Sequence, residues 1–190
     1  AYEQNKCCHG RTSKKNVDIF LMTNRSNYKI KEFSDKSDIG LLEEIYLLNQ
    51  ANTPEVGSLE SLNHLKALLS KSIKNIFISH QSSLVGYIVC FRENSDYSSE
   101  NYKFFSKSEK GFMYIDRIAI NKAFRRNGLA KHLYKNIEKI CIKKKLPLCC
   151  EVNTFPMNKP SINFHKKFGF KEVGTKDFAK NSVVYFKKYN

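Results

Sequence analysis

The chain has 190 residues, of which 41% are hydrophobic and 13% aromatic, enough for one ordinary core with a short extension. Its formal net charge is +15, from 33 Lys and Arg against 18 Asp and Glu. Such a charge points to an anionic partner or to a solvated basic surface. The lysines are scattered and no nucleic-acid motif accompanies them, so nucleic acid is not expected as a partner.

The longest apolar run, residues 84–91, is interrupted by Gly86 and is too short to span a bilayer, so no membrane partner is expected. Residues 1–16 are polar and basic, without the apolar core of a secretory signal. They read as a leader outside a single domain at 17–190. Six cysteines stand at Cys7, Cys8, Cys90, Cys141, Cys149 and Cys150, with no C-x-x-C spacing, so no metal is expected. Reduced thiols fit a cytoplasmic location.

Two short extended pieces, 19–22 and 28–33, come first. Asp38 can cap a helix whose apolar stripe is Ile39, Leu42, Ile45, Tyr46 and Leu48. Thr53-Pro54 ends it, and Ser58 opens a second helix with Leu59, Leu62, Leu65, Leu68 and Leu69 on one side. Runs 76–79 and 84–91 read as strands joined through His80-Gln81-Ser82-Ser83, a hairpin signal. Residues 92–111 form a long polar stretch dotted with aromatics, expected as an ordered loop serving as lid or acceptor wall. Its cluster of Tyr97, Asn101 and Tyr102 is a candidate lining. A strand at 112–120, a helix at 129–145, a strand at 146–154 and a helix at 161–168 follow, and strands at 171–174 and 183–189 close the sheet. The class is mixed α/β, with helices layered on a sheet.

The most specific stretch is Arg125-Arg126-Asn127-Gly128-Leu129-Ala130, between a strand and an amphipathic helix carrying Leu129, Leu133, Ile137 and Ile140. A helix N-terminus presents unpaired N–H groups and the positive end of the dipole, which together favour phosphate. Gly128 and Ala130 let a phosphate approach the backbone, and Arg125, Arg126 and Lys131 add charge. The bland alternative is an ordinary helix start with surface arginines.

Arg125-x-x-Gly128-x-Ala130 resembles the [Q/R]-x-x-G-x-[G/A] turn that grips coenzyme A in the GNAT superfamily of acetyltransferases. Asn158-x-x-Ser161 followed by Phe164-His165-x-x-x-Gly169-Phe170 is similar to a later segment of that family. The resemblance runs over about residues 17–189, is strongest from Met113 to Phe170, and looks closest to a bacterial branch. It implies a central, mostly antiparallel sheet of six or seven strands, splayed at its middle strands and flanked by about four helices. It implies acetyl-coenzyme A as cosubstrate, an amine acceptor (small molecule or peptide), and direct attack in a ternary complex by a monomer or homodimer. Backbone groups of Ile118, Ala119 and Ile120 would hold the thioester arm. Arg125 to Lys131, including Asn127 and Leu129, would hold the pyrophosphate, and Asn158, Ser161 and Phe164 would line the remainder.

Such chemistry needs a base for the ammonium, a site for the oxyanion and a proton for the leaving thiolate. Strand alternation sets Tyr114, Asp116, Ile118 and Ile120 on one face, and Glu151 and Asn153 on one face of the next strand. Glu151 or Asp116 can serve as base, with Tyr97, Tyr102, Tyr114 and Asn153 around the acceptor. The alternatives are ion pairs, Asp116 with Arg117 above all. Where the family often has a tyrosine acid, this chain has His165, which can replace it chemically or simply pack on its helix. Tyr114, Tyr185 and water are other candidate acids. Two other functions stay open at this point: a coenzyme A-binding regulator without catalysis, and a basic module for ribosome or nucleic acid.

Overall fold

The computed structural model describes residues 27–189. The leader at 1–16, Cys7-Cys8-His9 and the extended piece at 19–22 lie outside the described residues. Seven strands form one sheet in the order β1-β2-β3-β4-β5-β7-β6. They are β1 (Tyr28–Glu32), β2 (Lys74–His80), β3 (Ser83–Arg92), β4 (Met113–Ile120), β5 (Leu148–Phe155), β6 (Lys171–Asp177) and β7 (Ser182–Lys188). All neighbours pair antiparallel except β4 with β5. The described helices are α1 (Ile39–Gln50), α2 (Leu62–Lys71), α3 (Glu100–Ser108), α4 (Leu129–Lys144) and α5 (Lys159–Phe168).

Local chemistry explains most boundaries. The Asp38 carboxylate accepts from the N–H groups of Gly40 and Leu41 and opens α1. Ser61 caps α2 by accepting from the His64 N–H. The second helix therefore starts three residues later than Ser58, because the cap rather than the first leucine sets the start. Gln81 (φ 48°) and Ser82 (φ 69°) turn the β2–β3 hairpin, both left-handed as a two-residue turn requires. The stretch expected as a loop at 92–111 contains α3. Its start is a Ser99 cap accepting from the Tyr102 N–H, and Tyr102 and Phe105 bury one face.

Two cores sandwich the sheet. On one face α1, α2 and α3 bury Leu42, Ile45, Leu65, Leu68, Tyr102 and Phe105 against Tyr87, Val89, Tyr114, Cys149 and Tyr185. On the other, α4 buries Leu133, Tyr134, Ile137 and Cys141 against Ile88, Cys90, Ile115, Cys150 and Phe186. The thiols of Cys90, Cys141, Cys149 and Cys150 are free and buried, where they pack as small hydrophobes. No described helix is long and apolar enough to cross a membrane.

Two breaks in the sheet position everything that follows. Arg117 pairs with Val89 and Ile115 with Cys90, so Asp116 is an extra residue, a bulge in β4. And β4 meets β5 only at Met113–Leu148 and Tyr114–Cys149, after which the two strands part. Within the core, truncating the fully buried Ile45 to Ala should cost about 2–5 kcal/mol. The same change at Leu47, two residues away and 65% exposed, should stay within about 0.5 kcal/mol. Urea unfolding of Ile45→Ala and Leu47→Ala checks both.

Candidate active site

The bulge changes which residues share a face. Strict alternation would align Tyr114, Asp116, Ile118 and Ile120. In the structure Tyr114 and Ala119 belong to the core under α1–α3, whereas Ile118 and Ile120 pack with Ile115 towards α4. The expected grouping is corrected for that reason: the inserted Asp116 resets the period-2 pattern. Glu151 and Asn153 do share a face, paired across to Tyr185 and Val183.

Beyond Tyr114 the β5-facing edge of β4 carries no strand partner, so Asp116 to Ile120 border an open wedge. Glu151 stands on its other side. The Tyr114 hydroxyl donates to its carboxylate at 2.8 Å and the Asn101 amide of α3 donates at 3.1 Å. Burial, and then the negative charge of Asp116, push the Glu151 carboxyl up to about 8, against the opposing effect of those two hydrogen bonds. A carboxyl held there exchanges protons close to neutral pH.

Asp116 is differently placed. It accepts from the Tyr97 hydroxyl at 2.6 Å and from Arg117 Nε at 2.8 Å, and both charged side chains are under a tenth exposed. Arg117 Nη1 continues to Asn49 Oδ1 at 2.8 Å and to the Gly57 carbonyl at 3.1 Å, and Tyr87 donates to the same Asn49 oxygen at 2.7 Å. Burial alone would lower the Arg117 pKa, but Asp116, together with Tyr87 and Tyr97, more than offsets it and holds the guanidinium charged. Asp116 is thus paired with Arg117.

These contacts also pull the α1–α2 connection over the wedge. Arg117 holds Gly57, Asn153 donates to the Pro54 carbonyl at 3.3 Å, and Arg125 donates to Asn52 Oδ1 at 2.7 Å. Asn49, Asn52 and this connecting wall were not legible as site residues, since asparagines in a polar segment carry no periodic signal. Of the aromatic cluster, Tyr97 and Asn101 face the wedge. Tyr102 does not: it is buried, donates to the Arg92 carbonyl and accepts from the Ser95 N–H.

The phosphate turn has the expected build. A short 3₁₀ turn (Lys122–Phe124) leads into Arg126 at φ 67° and Gly128 at φ 77°. Gly128 opens α4 with no side-chain cap, so the first-turn N–H groups at Leu129, Ala130 and Lys131 are left for an external acceptor. A Cβ added at Gly128 would meet nothing within 4 Å, so open space lies above the backbone there. Residues 125–128 are exposed. Arg125 is partly committed, through Asn52 and the Ile120 carbonyl at 3.3 Å. A bare helix N-terminus beside arginines fits a pyrophosphate, and coenzyme A fits these residues on that observation.

On α5, Asn158 accepts from the Ser161 N–H and serves as the cap. His165 is corrected as a candidate acid. It is 3% exposed, its Nδ1 lies 2.8 Å from the Ser161 carbonyl and its Nε2 2.6 Å from the Tyr134 hydroxyl. The neutral tautomer with hydrogen on Nδ1 satisfies both, donating to Ser161 and accepting from Tyr134. The ring stacks on Phe186 and meets Phe164 and Phe170 edge-on. Burial lowers its pKa to about 4, so at neutral pH it is not an imidazolium that could act as the acid. A cavity of about 550 Å³ between Lys29, Asp38, Glu44 and Phe77 shares no residue with the wedge. Among the described residues no cluster of His, Cys, Asp and Glu could hold a metal.

The sequence matches the family model described as Acetyltransferase (GNAT) family over residues 42–170. The chain belongs to the GNAT acetyltransferase family. No curated protein sequence matches it. Among solved structures it is similar in fold to the ribosomal-protein-S18-alanine N-acetyltransferase from Escherichia coli, with TM-score 0.61 and 12% identity over 84% of this chain and 92% of that one. It is similar to Ard1 from Thermoplasma volcanium, with TM-score 0.65 and 20% identity over 86% and 97%. It is also similar to Arabidopsis thaliana NAA60 in complex with acetyl-CoA, with TM-score 0.65 and 17% identity over 86% and 99%. In this GNAT domain the wedge and the bare α4 terminus lie at opposite ends of the same β4 segment. Removing the guanidinium in Arg117→Met would leave Asp116 buried and unpaired, at a cost of about 3–5 kcal/mol. A fall in the urea midpoint without a change in slope is the expected result.

Proposed function

We propose that this GNAT protein transfers an acetyl group from acetyl-coenzyme A to a primary amine by direct attack in a ternary complex. The observation that carries the reading is Glu151. It is a carboxyl raised towards neutrality at the parting of β4 and β5, reached along β4 from an uncapped helix N-terminus. Acetyl-coenzyme A supplies the activated acyl carbonyl. The N–H groups at Leu129, Ala130 and Lys131, with Arg126, hold its pyrophosphate, and the free edge of β4 at Ile118 to Ile120 aligns its arm. Asn158, Ser161 and Phe164, at the start and inner side of α5, flank that arm.

Glu151 takes the proton of the incoming ammonium, directly or through one water. Base strength near 8 lets it do so while remaining largely protonatable at neutral pH. Asp116 stays paired with Arg117 and adds negative potential that draws a cationic acceptor into an otherwise basic protein. Tyr97 and Asn153 line the acceptor side, and the buried Tyr114 holds Glu151 from behind. His165 positions α5 rather than donating a proton.

The relatives in fold extend to a NatC complex bound to Gag peptide and CoA, and to Arabidopsis thaliana Naa50 in complex with the bisubstrate analogue CoA-Ac-MVNAL. Peptide N-termini therefore belong in the acceptor panel beside small amines.

Calorimetry tests the cofactor site. The wild type should bind acetyl-coenzyme A, and Gly128→Glu, which places a carboxylate at the bare helix terminus in a strained φ, should abolish measurable heat. A folded wild type that binds nothing would overturn the assignment. With an accepted amine, Glu151→Gln should lower kcat by roughly 10²–10⁴. The wild-type rate should rise with pH to a plateau with a midpoint near 8, because the base works only once deprotonated. The loss of that rising limb in the variant, followed by thiol release, checks the role.

A further inference from the structure

Asn101 belongs to α3, the helix that stands in place of the expected loop. Its amide sits between a carboxyl and a phenol. The ionised Glu151 carboxylate can only accept, and it takes its bond from Asn101 Nδ2 at 3.1 Å. On the amide's other side the Tyr185 hydroxyl donates to Asn101 Oδ1 at 3.0 Å. The ionised carboxylate fixes this rotamer, and the Tyr185 hydroxyl, which can donate or accept, completes it by donating. A flipped amide would set its oxygen against the carboxylate and its NH2 against the tyrosine, losing the Glu151 bond outright.

The surroundings hold this arrangement still. Phe104, on the same helix, stacks on Tyr185 with ring centroids 3.8 Å apart, and Phe105 meets it edge-on. Gly174 of β6 admits that stack, since a Cβ there would lie 2.9 Å from the Phe104 ring. Lys176 and Lys187 pair with Glu100 and Glu109, at either end of α3, at 3.2 Å and 2.6 Å. α3 is thereby clamped to β6 and β7 along its length, with Asn101 aimed at the wedge.

We propose that Asn101 is a positioning residue for Glu151, its amide locked between Glu151 and Tyr185 with an N–H facing the ionised carboxylate. The lock sets the proton affinity of the base and fixes its second oxygen, leaving the first to Tyr114. The inference rests on the reading of Glu151 as the base. The groups that bear on that carboxyl are Tyr114 and Asp116 from β4, Asn101 from α3, Tyr97 from the β3–α3 connection, Tyr185 from β7, Cys150 from β5 and Tyr134 from α4. Asn101 and Tyr114 are the neutral donors among them and oppose both burial and Asp116. Tyr185 itself keeps its proton, burial and the two nearby glutamates raising it to about 12, so it remains a donor to Asn101 throughout the working range.

The test is a titration that needs no turnover. The side-chain carboxyl resonance of Glu151, identified by its disappearance in Glu151→Gln, is followed by carbon-detected NMR with 13C-glutamate in the full chain. The wild-type midpoint should lie near 8. Asn101→Leu removes a hydrogen bond to the charged form and should raise the midpoint by about one unit, a roughly tenfold gain in proton affinity. Tyr185→Phe keeps the ring stack but removes the donor that holds Asn101 Oδ1, and should raise it by roughly half as much. Thermal melts at pH 6 confirm that each variant is folded, and Asn101→Ser stands in should Asn101→Leu fail to fold. Midpoints unmoved in both folded variants would overturn the proposal. A shift in the Asn101 variants alone would overturn the lock by Tyr185. Neither result depends on whether Glu151 proves catalytic, which the rate profile of Glu151→Gln decides separately.

Discussion

The parting of β4 and β5 after two rungs is the constraint on which the rest of this protein depends. A seven-stranded sheet would ordinarily pair its central strands along their length, because unpaired backbone in a buried sheet costs about as much as lost hydrogen bonds. Here the ladder stops at Tyr114 and Cys149. The edges so exposed can be satisfied by water or by a ligand with peptide-like groups of its own, which is what the arm of coenzyme A offers. The bulge at Asp116 is the local means of this separation. It adds a residue to β4 without adding one to β3, increases the twist and turns the following side chains over.

A bulge that buries a carboxylate needs a counter-charge. Arg117 supplies it from the adjacent position, and its remaining N–H groups reach Asn49 and Gly57. A buried ion pair rarely adds stability over an apolar pair of the same volume, so its value here is geometric. It fixes where the α1–α2 connection lies, and with Asn153 and Arg125 it draws that connection across the wedge. The same pair leaves Glu151 as the one wedge carboxyl without a cationic partner among the described residues. Two carboxyls on neighbouring strands thus differ in role because only one of them has an arginine.

Much of the fold was legible because local rules coincided with the global arrangement. The Asp38 cap, the hairpin turn at Gln81-Ser82 and the helix opening at Gly128 each depend on residues within a few positions of one another, and a single sequence shows them. Glu151 and Asn153 followed from alternation on an unbroken strand. Failures came where non-local structure intervened. No residue type marks the bulge, so Ile118 and Ile120 were set on the wrong face. α3 was hidden because its buried face is aromatic and its remainder polar, a composition shared with loops. His165 read as a possible acid from its position in a motif, but its partners, Tyr134 thirty-one residues earlier and Phe186 twenty-one later, are brought to it only by folding.

α3 is where these threads meet. The β3–β4 connection could be a short turn, and the fold would still close. Instead it carries a helix that packs Phe104 and Phe105 against β7 and, with the segment before it, presents Asn101 and Tyr97 to the two wedge carboxyls separately, one donor to each. Tyr97 is held by stacking on Phe91 at 4.2 Å and Asn101 by Tyr185, so neither donor is free to follow a moving ligand. Rigid donors outside the strands let the hydrogen-bonding partner of each carboxyl be set independently of the strands that carry them.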